Sequence, residues 1–296
     1  MSYYKNLLAV IDPTTDDQKA LNRAIEYASL TGAKVTAFLS IYDFSYEMTT
    51  MLSFEEREAM RKAVIADRNQ WIKSLVDEEQ SQFISDYQVH WHNRPFEAII
   101  DACNEHHYDL VIKGTHHHDF LKSVIFTPTD WHLLRKCPTP LLLVKEHDWP
   151  QGGNLVAAVN LTSENELHQS LNKKLLAEAQ SFAEILNANV HLVNSYPGAP
   201  VNISIEVPEF DPVSYSENIK KHHIDAMNQL TSSLSANDKN THVLEGLPED
   251  VLPRVADELD AELVIIGTIG RTGLSAAFIG NTAEHVIDNH NCDVLA

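Results

Sequence analysis

Short apolar runs alternate with longer amphipathic stretches along the whole chain. In the amino-terminal half the runs at residues 7–12, 35–41, 87–92, 110–114 and 140–144 are brief and rich in apolar and β-branched residues, the pattern of strands buried on both faces. The intervals read as helices. Leu21, Ile25 and Ala28 share one face of a first helix, Ser53-Phe54-Glu55-Glu56 is a capping box opening a long second one, and Pro95 suits the first turn of a third, as Pro248 does in the other half. In the carboxy-terminal half Leu167, Leu171, Leu175, Ala179 and Phe182 form another stripe. Such stripes pack on a sheet. Continuous apolar strands alternating with helices predict an α/β fold of parallel sheets with helices on both faces, whose ligands bind beyond the carboxyl ends of the strands.

The pattern is written twice. A shift of 153 positions, the distance from Gly114 to Gly267, pairs Pro95 with Pro248, Glu105 with Glu258, Leu110-Val111-Ile112 with Leu263-Val264-Ile265, Thr129 with Thr282 and His132 with His285. The opening strands, residues 7–12 and 155–160, match at a slightly smaller offset, so extra residues of the second copy belong in its middle, at the proline-rich "YPGAPVNISIEVPEFDP" of 196–212. The boundary falls in "HDWPQGGN", 147–154, which separates a first domain, 1–148, from a second, 154–296. Ala296 matches Leu143 of the first copy, so the last strand of the second is expected to be cut short.

Composition narrows the function classes. With 22 basic against 42 acidic residues the formal charge is −20, which repels a phosphate backbone, so no nucleic-acid partner is expected. No apolar run approaches the roughly 20 residues of a membrane helix, and the start of the chain lacks the features of a secretory signal, so no membrane partner and a cytoplasmic location are expected. The three cysteines, Cys103, Cys137 and Cys292, are scattered without a framework spacing and are read as reduced and structural.

The candidate chemistry lies in "GTIGRTGLSAAFIGNTAEHVI", 267–287. It follows the apolar run 263–266 and precedes a helical stretch, so Gly267, Gly270 and Gly280 allow backbone to approach an anion that the unpaired N–H groups of a helix start can hold. Thr268, Asn281 and Thr282 add polar contacts, and Arg271 supplies local positive charge. A turn with an ordinary helix cap is the plainer alternative. The spacing is neither that of the P-loop nor that of the dinucleotide fingerprint.

It resembles instead the G-x2-G-x9-G-[ST] signature of the universal stress protein family, and the resemblance runs through both halves of the chain. That resemblance implies two tandem Rossmann-like domains, each with a five-stranded parallel sheet, packed about a pseudo-twofold axis, with further dimerisation as an option. It implies an adenine-nucleotide site for ATP, with or without Mg, formed by Gly267, Thr268, Gly270, Arg271, Gly280, Asn281 and Thr282, with Gly246 near the adenine and Asn160 at the end of the first strand. Two departures matter. Asn281 stands where the signature has Ser or Thr, and Asn160 where ATP-binding members carry Asp, which weakens help in holding a metal. Binding is better supported than hydrolysis, and no catalytic residue is assigned.

The first copy keeps Asp12 but has His117 for Gly270, Thr127 for Gly280, Pro128 for Asn281 and Asp130 for Ala283. Pro128 has no N–H, and a carboxylate at Asp130 occupies the favourable field at the helix start, so this copy is expected to be closed to phosphate. His116-His117-His118, with His90 and His92, invites a metal, but adjacent imidazoles converge poorly on one ion and no metal site is assigned. The aromatic and methionine-rich 42–54 is read as core, interface or the lining of an apolar pocket. The resemblance implies nucleotide binding in support of survival under starvation and DNA damage, with at most slow hydrolysis. The alternative is an acidic interaction protein with vestigial loops.

Overall fold

A computed structural model describes residues 3–43, 46, 52–79, 81–118, 123–125, 127–161, 166–199, 211–233, 240–268 and 292–296. The chain divides into two compact units, Met1–Lys145 and Glu146–Ala296. In the first, β1 (Asn6–Val10), α1 (Lys19–Thr31), β2 (Lys34–Ile41), α2 (Phe54–Glu79), β3 (Ile84–Trp91), α3 (Pro95–His106) and β4 (Leu110–Gly114) are followed by a small hairpin of β5 (His116–His118) and β6 (Ser123–Ile125), then α4 (Pro128–Lys136) and β7 (Leu141–Val144). Five strands form a parallel sheet in the order β7-β4-β1-β2-β3. In the second unit the succession is β8 (Asn154–Ala158), α5 (Glu166–Leu186), β9 (Asn189–Tyr196), α6 (Pro212–Leu230), β10 (Asn240–Glu245), α7 (Pro248–Glu258), β11 (Leu263–Ile265) and β12 (Asp293–Leu295). Its sheet is again parallel, ordered β12-β11-β8-β9-β10. The two orders are the same topology.

Burial explains why the strands read as unbroken apolar runs. Leu7, Leu8 and Ala9 are consecutive, point to alternate faces, and are all fully buried, as are Leu155, Val156 and Ala157 in the second unit. Both faces of each central strand are therefore covered, and the helical stripes supply the cover. On α1 Leu21 and Ala28 are fully buried with Ile25 at the margin, and on α5 Leu175, Ala179 and Phe182 are buried. The capping box of α2 forms as the sequence indicates: Ser53 N donates to Glu56 Oε2 at 2.8 Å, and Glu56 N donates to Ser53 Oγ at 3.2 Å. The inter-copy stretch packs on the second unit. Trp149 is buried edge-on against Phe182, with ring centroids 5.8 Å apart, and Gly152, at φ 86°, donates its N–H to Leu186 O.

The second unit also buries imidazoles. His223 of α6 is 2% exposed and shares a 2.7 Å hydrogen bond with Asn194 Oδ1, whose own Nδ2 donates to Val159 O. His191 Nδ1 and His242 Nε2, on neighbouring strands, are 3.0 Å apart and share one proton. Burial holds all three below the usual histidine range. An unfolded histidine titrates near pH 6.5, so below about that pH the unfolded chain takes up protons that the folded one refuses. Stability from these residues is present above about pH 6.5 and lost as the pH falls through their folded values. The urea midpoint should therefore drop between about pH 7 and pH 5, and His223→Gln should flatten that dependence; an equal slope in both chains would contradict a buried neutral His223.

Candidate functional site

In each unit the chain leaves the first strand toward one side of the sheet and later returns to its other side, so the strand order reverses between β1 and β4 and again between β8 and β11. Connections depart in opposite directions there, and a crevice opens outside the carboxyl ends of that strand pair. Asp12 and Gly114 stand at the crevice of the first unit, Asn160 and Gly267 at that of the second.

In the second unit β8 and β11 run in register to Ala157↔Ile265, and Asn160 and Thr268 each lie three residues further on. Asn160 is exposed, with its backbone held by a buried amide: Asn172 Nδ2 donates to Asn160 O at 2.7 Å, and Asn160 N donates to Asn172 Oδ1 at 3.1 Å. Leu171 of α5 packs directly on Gly267, so that a Cβ there would overlap Leu171 Cδ2. Gly246 follows β10 at φ 140°, a conformation open to glycine, with its N–H donated to Tyr196 O; an added Cβ would stand 2.9 Å from Val251 Cγ2. Asn160, Gly246, Gly267 and Thr268 thus share one edge of the sheet, spread over four adjacent strands, or on the order of 14 Å. Gly270, Arg271, Gly280, Asn281 and Thr282 lie outside the described residues.

The first unit repeats the amide clamp: Gln18 Nε2 donates to Asp12 O at 2.7 Å and Gln18 Oε1 accepts from Asp12 N at 3.0 Å, from six residues on rather than twelve. Here the Asp12 carboxylate turns on its own loop, with Oδ1 accepting from Thr14 N and from Thr14 Oγ1. The start of α4 is closed as the sequence indicates. Thr127 N donates to Asp130 Oδ2 at 2.7 Å, Asp130 N donates to Thr127 Oγ1 at 3.3 Å, and Pro128 occupies the first turn. The other carboxylate oxygen, Oδ1, is 2.7 Å from the Lys113 ammonium, which also donates to Gly114 O. Asp130 is fully buried and Lys113 nearly so. An internal carboxylate and an internal cation therefore fill the place where an anion would meet a helix start.

The universal stress protein family pattern matches residues 3–145 and 168–296. Over 297 residues the chain is 52% identical to Universal stress protein E of Escherichia coli (strain K12), covering all of this chain and 94% of that protein, and it is 44% identical to Universal stress protein E homolog of Haemophilus influenzae, covering 99% and 96%. This chain belongs to the universal stress protein family. Among solved structures, a functionally unknown protein from Pseudomonas aeruginosa PAO1 aligns with a TM-score of 0.72 at 28% identity, covering 99% of this chain and 92% of that one. A universal stress protein from Archaeoglobus fulgidus DSM 4304 aligns at 0.58 and 13% identity, covering 98% and 94%, and shows the shared fold.

Within this tandem universal stress protein the sequences of the two copies differ by a matched exchange. At the offset of 153, Lys113 corresponds to Ile266 and Asp130 to Ala283, so the first unit carries both charges of the pair and the second carries neither. Sequence reasoning found Asp130 but missed Lys113. A lysine inside the apolar run Leu110-Val111-Ile112-Lys113-Gly114 was the available signal, since a buried lysine requires a partner. It also missed Gln18 and Asn172, whose roles depend on loop geometry. His90 and His92 have local duties: the His90 ring stacks on Phe38 at 4.8 Å, and His92 Nδ1 accepts from Arg94 N. Among the described residues no group of three or more His, Cys, Asp or Glu is placed to hold a metal ion. Tyr42 and Tyr46 meet Trp91 edge-on at 5.7 and 5.3 Å, and Tyr46 Oη donates to Glu58.

Removing one member of the buried pair leaves the other charge uncompensated. Asp130→Ala should lower the stability of the first unit by roughly 3–5 kcal/mol. The double change Lys113→Ile with Asp130→Ala installs the second unit's residues and should retain mainly the loss of the helix cap, about 1 kcal/mol. A denaturant-monitored double-mutant cycle measures this, and additive losses would show that the two groups are not coupled.

Proposed function

We propose that this universal stress protein binds an adenine nucleotide, ATP, in its second unit, while the first is closed to phosphate and serves as structure. One observation carries the reading: the first unit holds its own carboxylate on Lys113 and the α4 start, whereas the residues that correspond to this pair in the sequence of the second copy are Ile266 and Ala283, with glycines at 267, 270 and 280. In this reading Gly267 and Thr268, beyond the end of β11, act with Gly270, Arg271, Gly280, Asn281 and Thr282, which follow in sequence, to hold the phosphates. Gly246 gives the turn beside the adenine, and Asn160 faces the ribose or base as a neutral hydrogen-bonding group.

Asn160 brings no charge, so a Mg ion accompanying the nucleotide would rest on the phosphates more than on the chain. The residues support holding the ligand, and any hydrolysis is slow. The formal charge of −20 opposes an incoming triphosphate, which makes the local N–H groups and Arg271 decisive for affinity. In the cell the protein acts in the cytoplasm, supporting survival under starvation and DNA damage.

Gly280→Val places a branched side chain in the path of the phosphates and should abolish ATP binding by calorimetry while far-UV circular dichroism stays unchanged. Thr127→Val, in the closed unit, should bind like the parent. Equal ATP binding by both variants would move the site elsewhere, and no binding by the parent would favour an acidic interaction protein instead.

A further inference from the structure

At the end of the second unit's sheet farthest from Gly267, the pairing of β9 with β10 closes on Tyr196↔Glu245, and Gly246 N donates to Tyr196 O at 2.9 Å just beyond it. Tyr196 is buried and Glu245 is exposed. The Glu245 carboxylate lies over the loop that leaves β9: a Cβ on Gly198 would stand 2.5 Å from Glu245 Oε1, and glycine leaves it that room. Tyr196 feels the same charge, its phenol pKa being raised by burial and then by Glu245. Past Gly246 in the chain, Leu247 is the N-cap of α7 and is 53% exposed, a large apolar side chain open to solvent at this edge. The first unit differs at the same topological place. There β2 and β3 close on Ile41↔Trp91, His92 N donates to Ile41 O, and Trp91 is met edge-on by Tyr42 and Tyr46. An indole thus stands where the second unit has a carboxylate.

We propose that Glu245 selects the base of the nucleotide, a role that rests on nucleotide binding in the second unit: its carboxylate accepts from the exocyclic amine of adenine and rejects the carbonyl that guanine and hypoxanthine carry at that ring position. Strand order sets the direction. In the sheet β11, β8, β9 and β10 are successive neighbours, so a nucleotide with its phosphates at Gly267 and its ribose at Asn160 brings its base to the ends of β9 and β10. An ionised carboxylate only accepts hydrogen bonds, adenine offers an N–H donor at its 6-position, and guanine offers an oxygen acceptor there. Two acceptors facing each other leave both unpaired, and a site built around one hydrogen bond discriminates by that penalty. Leu247 gives the flat ring an apolar surface. The same carboxylate does not expel the phosphates: three strand spacings, about 14 Å, separate the ends of β10 and β11, beyond the roughly 8 Å over which physiological salt screens exposed charges.

Calorimetry on the full chain with ATP and with inosine triphosphate tests this, because the two share ribose and triphosphate and differ only in the 6-amine against the 6-carbonyl. The parent should bind ATP about tenfold tighter or more, the scale of one hydrogen bond to a charged group. Glu245→Gln, whose amide can turn either its carbonyl or its NH2 to the ligand, should bring the two affinities together by strengthening the inosine nucleotide. Glu245→Ala should narrow the ratio by weakening ATP. The ratio is the readout, since removing a negative charge shifts the affinity of both triphosphates alike. A parent that binds both equally, or variants that keep the parent's ratio, overturn the role of Glu245 and leave the nucleotide site standing. A parent that binds neither overturns nucleotide binding in the second unit and this role with it. Should one variant fail to fold by far-UV circular dichroism, the other decides together with the parent's ratio.

Discussion

In a parallel sheet covered on both faces, every interior strand spends its backbone N–H and C=O groups on its neighbours, and the side chains of its middle residues on the helices above and below. Leu7 to Ala9 and Leu155 to Ala157 have no surface left to offer a ligand. Unsatisfied polar groups survive only where strands end, and at the reversal of strand order no connection crosses to cover them. This constraint, imposed once per unit, places Asp12 and Gly114 together at one edge and Asn160 and Gly267 together at the other. What each unit does follows from what stands at that edge.

The first unit answers the exposed helix start with groups of its own. Thr127 and Asp130 satisfy each other's backbone donors, and Lys113 neutralises the carboxylate oxygen left over. Neither charge is tolerable alone at such burial, because an unpaired ion in that position loses its hydration without a replacement. The exchange of Lys113 and Asp130 for Ile266 and Ala283 therefore has to involve both positions. The two copies have diverged in sequence at these positions: the first spends Lys113 and Asp130 on an internal contact, and the second has Ile266 and Ala283 in the corresponding places of its sequence.

Much of the architecture was legible from residue order. Strand positions, the α2 capping box, the closed α4 start and the doubling of the unit all depend on local hydrogen bonding or on hydrophobic period, and each is seen in the structure. The candidate site was legible to the extent that its residues sit next to a strand end: Asn160, Gly246, Gly267 and Thr268 lie where alternation of strands and helices puts them. The clamps by Gln18 and Asn172 were not, because they start from six residues on in one unit and twelve in the other, and no fixed spacing announces them. The buried cation was overlooked because a single lysine in an apolar run has no partner in its own neighbourhood of sequence.

The chain alone determined the succession of strands and helices, the two copies, the glycine-rich loop of the second and the proline and carboxylate that distinguish the first, since each of these rests on properties carried within a few residues of backbone. Tertiary structure alone decided which distant groups meet. Lys113 finds Asp130 across a hairpin, and His223 of a helix finds Asn194 of a strand. Each is a pairing between elements whose separation in sequence carries no signal of their contact, because it is set by how helices settle on a sheet and not by any local preference of the residues involved.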